Sequence, residues 1–202
     1  MIEAVKNILG PKSTAINVNG EITDFMYVPS KQMRFCEAVN HSFNIPIRLT
    51  NDNLGCPGTR RSVGFDKEDG QLAFTISENN RIPEQFIAGV LERIPTLNDI
   101  KCINLGLTDY MEKFIHPDLY IAYVNPDKVM AIMQKLAKQK IISSIPPFSL
   151  LSVCGNVFSN CYKNKIASIS FGCPESRIHG GIAGNEVVLG IPYEIAELLT
   201  KI

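Results

Sequence analysis

Two short stretches of this chain repeat one pattern. Gly55-Cys56-Pro57-Gly58-Thr59-Arg60 and Gly172-Cys173-Pro174-Glu175-Ser176-Arg177 both read Gly-Cys-Pro-x-hydroxyl-Arg, with over a hundred positions between them. Nothing around the copies recurs at a fixed period, so this is one local geometry used twice, not a repeat architecture. Glycine before the cysteine lets the backbone turn tightly or approach a bulky group, and proline after it fixes φ and removes one amide hydrogen. Each cysteine is thereby presented on a rigid turn. Amides beyond the proline, and the hydroxyl of Thr59 or Ser176, can donate to a thiolate or an inorganic sulfide. Arg60, Arg61 and Arg177 supply the positive charge that thiolates clustered in a weakly polar pocket require.

Two further cysteines can complete a site. Cys154 ends a predicted strand, with Gly155 leaving room for a bulky ligand, and Cys36 lies on the inner face of a predicted helix, where it serves equally as ligand or as a small core residue. Four thiolates match tetrahedral zinc and also the four-cysteine ligation of iron-sulfur clusters. Structural zinc usually takes paired ligands, and the chain has neither Cys-x-x-Cys nor Cys-x-x-His, which makes zinc the lesser option. An iron-sulfur cube is wide enough for its ligands to arrive singly from separate turns. The expectation is one [4Fe-4S] cluster on Cys36, Cys56, Cys154 and Cys173, in a redox or sensing protein that works with a redox partner protein. Arg60, Arg61, Arg177 and His179 would surround it as charge-compensating or anion-binding groups, although His179, in Arg177-Ile-His-Gly-Gly181, reads first as a turn residue.

Two other readings stay open. One is an enzyme whose Cys56 or Cys173 thiolate, activated by a neighbouring arginine, attacks a small anionic substrate. The other is a module that binds a small anionic ligand and uses its cysteines only structurally. Gly180, Gly181 and Gly184 fit neither Gly-x-Gly-x-x-Gly nor a Walker motif, and no Gly-x-Ser-x-Gly or telling carboxylate pair is present. Cys102 and Cys161 belong to no motif and read as ordinary thiols.

The whole chain must supply the scaffold. Its 202 residues suffice for a real apolar core, and 45% hydrophobic with 20% charged residues exclude collagen-like, coiled-coil and disordered classes. Twenty basic residues balance twenty acidic ones, which leaves no global field to hold nucleic acid or an anionic membrane. No stretch reaches the roughly 18 apolar residues of a membrane helix, and no secretory signal opens the sequence, so a cytoplasmic protein with free thiols is expected.

Ser30 is the expected N-cap of a helix with Met33, Cys36, Val39 and Phe43 on one face, preceded by a modest strand over Glu21 to Val28. Ile82, Phe86, Val90, Leu91 and Ile94 have helical spacing between Pro83 and Pro95. Leu119 to Val124 reads as a buried strand, and Asn125 caps a helix whose stripe is Val129, Ile132, Met133 and Leu136. Strands follow at Phe148 to Val153, Ile166 to Phe171 and Glu186 to Ile191, then a closing helix from Pro192 that buries Ile195, Leu198, Leu199 and Ile202. Helices early and strands late predict a single α+β domain over residues 1–202, with helices packed on a mixed or antiparallel sheet.

Taken together, Cys56-Pro-Gly-Thr-Arg-Arg61, Tyr123-Val-Asn-Pro126, Ser152-Val-Cys-Gly155, Ser170-Phe-Gly-Cys-Pro-Glu-Ser-Arg177 and Glu186-Val-Val-Leu-Gly-Ile-Pro192 resemble family 169 of the domains of unknown function, from about Met33 to Pro192. That family is prokaryotic and functionally uncharacterised. The resemblance implies that its motif cysteines correspond to Cys56, Cys154 and Cys173, with Cys36 as the fourth, and it favours an iron-sulfur site.

Overall fold

Leu119–Val124, the most β-branched and aromatic run in the chain, forms the fully buried middle strand of the sheet. The computed structural model describes residues 2–21, 25–66, 69–109, 111, 116–141, 143–144 and 150–201. Its elements run α1 (Ile2–Leu9), β1 (Ser13–Val18), α2 (Phe35–Ser42), β2 (Ile47–Thr50), α3 (Pro57–Ser62), α4 (Asp69–Asn80), α5 (Glu84–Arg93), β3 (Cys102–Leu107) and β4 (Leu119–Val124). The second half adds α6 (Pro126–Lys138), β5 (Ser143–Ser144), a π-helix (Ser152–Ser159), α7 (Asn160–Asn164), β6 (Ala167–Ser170), α8 (Pro174–His179), β7 (Val187–Pro192) and α9 (Tyr193–Leu199). One sheet of order β2-β3-β1-β4-β7-β6-β5 joins the strands, antiparallel except for the short β5–β6 pair. The fold is α+β, as expected.

Strand alternation decides which face each helix covers. Leu119, Ile121 and Tyr123 point to one side, packed with residues of α2, α4, α5 and the π-helix. Tyr120, Ala122 and Val124 point to the other, against α1, α6 and α9. Strands β4 and β7 are therefore apolar throughout and do not alternate with polar residues, since both faces are covered. Asn125 caps α6 as predicted, its side chain accepting from the Lys128 amide at 2.8 Å, and Val129, Ile132 and Leu136 are buried beneath it. No helix among the described residues is long and apolar enough to cross a membrane.

Several expectations are corrected. Phe148 lies outside the described residues, and Ser152 onward is not strand but a π-helix, because a short apolar run buried on every side has no periodicity that separates strand from helix. Leu151 starts it in the left-handed region (φ 45°), and the amides of Gly155 and Asn156 both donate to the Leu151 carbonyl, at 2.8 and 2.9 Å. Side chains satisfy the carbonyls this wide winding leaves: Asn156 donates to Leu150 O, Ser159 to Cys154 O and Ser168 to Asn156 O. The helix expected from Ser30 begins only at Phe35, because Met33 first bridges to Leu54 in extended form. Of Glu21 to Val28, residues 22–24 lie outside the description and Tyr27 makes one bridge to Ile47. Phe86 and Leu198 face outward, at 48% and 46% exposure, and Ile202 is not described. Strand β1 escaped notice because polar Ser13, Thr14 and Asn17 interrupt it, and α4 because its apolar residues make no clear stripe.

The π-helix lies tight on the sheet. A Cβ on Gly190 of β7 would stand 2.4 Å from Val157 Cγ1 and 2.7 Å from Cys161 Sγ. Gly190→Ala is expected to cost about 1–3 kcal/mol by overpacking, read as a lower urea midpoint with an unchanged slope. A variant as stable as the wild type would mean that the π-helix is free to back away.

Candidate metal centre

The echoed pattern is a helix start. Cys56 is the N-cap of α3 and Cys173 the N-cap of α8, both with extended backbone (φ −82°, ψ 119° and φ −92°, ψ 165°), and each is followed by proline at the first helical position. Gly172 sits in the left-handed region at φ 88°, where a side chain would be strained.

The motif arginines do not face the sulfurs. Arg60 donates to the Leu54 carbonyl at 3.1 Å and Arg177 to the Phe171 carbonyl at 2.5 Å, in each case the residue two before the cysteine. Arg60 also binds Asn51 O and forks onto Asp66. Arg177 takes Ala183 O and Glu186 O as well. The fixed offset from cysteine thus reflects a clamp that closes the turn, and carbonyls, with the Asp66 carboxylate at Arg60, meet these charges in place of thiolates. Arg61 reaches the cavity wall, but the residue is buried and its guanidinium donates to Ile94 O and Leu91 O at the end of α5.

The hydroxyls also divide their roles. Ser176 closes a capping box, accepting from the Cys173 amide at 2.8 Å and donating to the Cys173 carbonyl at 2.9 Å. Thr59 Oγ1 is buried with no hydrogen-bond partner. It lies beside the Cys154 thiol, where it favours the thiolate without forming a geometric hydrogen bond.

Cys36 occupies the first turn of α2, and α8 ends against it: a Cβ on Gly180 would meet Cys36 Cβ at 3.1 Å and the Ser176 carbonyl at 2.5 Å. Cys154 is carried by the π-helix, a winding found frequently at functional sites. The space beside Gly155 is not left for a ligand, because Ile94 fills it, 2.7 Å from where a Cβ would stand.

These four cysteines, from four separate segments, line one cavity of about 1120 Å³, with Arg34, Thr59, Leu151 and Glu175 among its other walls. The thiols sense one another. Burial, then Cys56 and Cys173, push Cys36 up to about 12, against the Glu37 amide and Arg34. Burial, then Cys56, raises Cys154 well above the usual thiol range, with Cys173 and Cys36 adding to the shift and Thr59 opposing it. Among the described residues no three His, Cys, Asp or Glu side chains are placed to hold a single metal ion.

Arg34 is the cation that acts on Cys36, and sequence reasoning missed it. Its place two residues before Cys36, at the entry to an inward-facing helix, was the available signal. It pairs with Glu175 at 3.0 Å, which also takes His179 at 3.4 Å. His179 is therefore an exposed helix-end residue beside Glu175, and is not a turn residue. Cys102 lies on β3, its thiol 3.6 Å from Gly20 O, and Cys161 is packed beneath Gly190, raised by burial.

Compared with known proteins, residues 14–201 match the family described as Uncharacterised ArCR, DUF169. No curated protein and no solved structure matches the chain.

Proposed function

We propose that this chain, which belongs to the DUF169 family of uncharacterised proteins, holds one [4Fe-4S] cluster through Cys36, Cys56, Cys154 and Cys173 and serves in electron transfer or redox sensing, with its electrons exchanged with a partner protein. The observation that carries this reading is the convergence of those four cysteines, drawn from α2, two helix N-caps and the π-helix, on a single cavity. The donor set fits the group. Burial and then the neighbouring cysteines raise Cys36 and Cys154, with Arg34 as the cation opposing this at Cys36, so a guest carrying iron(II) and iron(III) supplies the missing positive charge. A buried threonine hydroxyl without a partner beside Cys154 is a donor for a charged sulfur. When bound, the cluster would contribute one-electron chemistry at a potential set by its surroundings.

Zinc suits the site less well, because a single small ion needs its ligands gathered more closely than any described group provides. A thiolate nucleophile is also less favoured. Arg60 and Arg177, the arginines that would have to activate Cys56 or Cys173, are committed to carbonyls and Asp66. The same commitment leaves these arginines poorly placed to bind a small anion.

Iron and acid-labile sulfide analysis of protein purified without oxygen tests the proposal. About four of each per chain are expected, with a brown colour. Colourless protein that takes up no iron on anaerobic reconstitution, or that retains zinc in its place, would end it.

A further inference from the structure

Hydrogen bonding starts late in the π-helix (Ser152–Ser159). The amides of Gly155 and Asn156 both find the Leu151 carbonyl, but among the described residues nothing accepts from the amides of Ser152, Val153 or Cys154. The first amides of a helix ordinarily go to a capping side chain or to solvent. Here the N-cap is Leu151, which offers no side-chain acceptor, and the Ser152 hydroxyl is paired with that of Ser170. Solvent has little access either, since Ser152, Val153 and Cys154 are 0%, 2% and 8% exposed. Buried amides left in this state are costly, and all of these residues line the cysteine cavity.

A side-chain donor reaches the same place. Helix α3 lies along the π-helix: a Cβ on Gly58 would stand 3.0 Å from Leu151 Cγ, and the Ser159 hydroxyl donates to Ser62 O at 3.5 Å. Thr59, next to Gly58, is 1% exposed and lines the cavity, and its Oγ1 has no hydrogen-bond partner. Valine would have the same shape there without stranding a hydroxyl. Amides at the positive end of a helix, behind a left-handed residue and beside a free hydroxyl, offer donors and no acceptor, so their guest is a small anion. The walls add cysteine thiols, Leu150 and Val153, which suit a soft, weakly hydrated anion better than an oxyanion. We infer that the start of the π-helix, with the Thr59 hydroxyl, is a site for inorganic sulfide: free hydrosulfide in the iron-free protein, and one of the bridging sulfides once a cluster is in place. The second half of this inference rests on the cluster reading above.

The test is a titration of hydrosulfide into reduced, iron-free, isotope-labelled protein, followed through its backbone amide resonances. The amide protons of Ser152, Val153 and Cys154 should move downfield and saturate. Thr59→Val should bind about tenfold more weakly, the loss of one hydrogen bond to a charged group, and Thr59→Ser should bind as the wild type does. Unmoved amides in the wild type, or a folded Thr59→Val protein with wild-type affinity, would overturn the inference. If Thr59→Val does not fold, the wild-type amides decide alone. Iron loading by a wild type that binds no hydrosulfide would overturn the anion site and leave the cluster reading intact, whereas hydrosulfide binding at these amides by a protein that never takes up iron would do the reverse.

Discussion

Replacing Cys154 or Cys56 by alanine is expected to strip the protein of iron and sulfide, whereas Cys102→Ala keeps both. The contrast follows from placement: Cys56 and Cys154 line the shared cavity, and Cys102 lies on β3 with its thiol toward Gly20 O. The effect extends to stability. A guest that binds only the folded chain adds about 4 kcal/mol when its concentration is a thousand times its dissociation constant, so loading should raise the unfolding midpoint of wild type and of Cys102→Ala by many degrees. The cavity variants should show no such rise. Iron content and thermal unfolding before and after anaerobic reconstitution provide the measurement. If Cys154→Ala and Cys56→Ala load and stabilise as the wild type does, the four cysteines do not form one site.

Metal-free protein should lose stability steeply in alkali. In the unfolded chain Cys36 titrates near its ordinary value of 9.0, and in the folded protein at about 12, chiefly because it is buried. Between those values the unfolded chain has released a proton that the folded one keeps, so unfolding gains ground as pH rises. The stabilisation is complete below about pH 9 and vanishes as pH approaches about 12, and three units correspond to about 4 kcal/mol for this group. Cys154 and Cys161 shift in the same direction and add to the loss. Urea unfolding of reduced, metal-free protein at pH 8 and pH 11 reads the change, and Cys36→Ala should flatten the part due to Cys36 by about 3 kcal/mol over the two units between 9 and 11. Equal pH dependence in the variant and the wild type would show that burial at Cys36 does not hold the proton.

Local features were readable in advance wherever the interactions that create them span only a few residues. Asn125 with Pro126 marked the start of α6, and the stripe at Val129, Ile132 and Leu136 marked its buried face. The Gly-Cys-Pro pattern likewise announced a tight turn, and the structure adds that this turn is an N-cap. The arginines were misread because an offset of four residues from cysteine is compatible both with facing its sulfur and with folding back onto the carbonyl two residues before it. Only the path of the turn distinguishes them. The π-helix was hidden for a related reason: Leu150, Leu151, Val153, Val157 and Phe158 are buried on all sides, so no polar face reveals the winding.

From the chain alone came the donor types, the two rigid turns that present Cys56 and Cys173, and an α+β scaffold, since propensity, capping and hydrophobic period all act over short distances. Tertiary structure decided that Cys36, Cys56, Cys154 and Cys173 share a cavity, that Arg34 is the cation acting on Cys36, and that Thr59 brings an unpartnered hydroxyl to the site. These depend on strand order and on which face each side chain takes. A shift of one residue along β4 would turn Tyr123 to the opposite layer of helices, and nothing in its immediate neighbours in sequence reports that outcome.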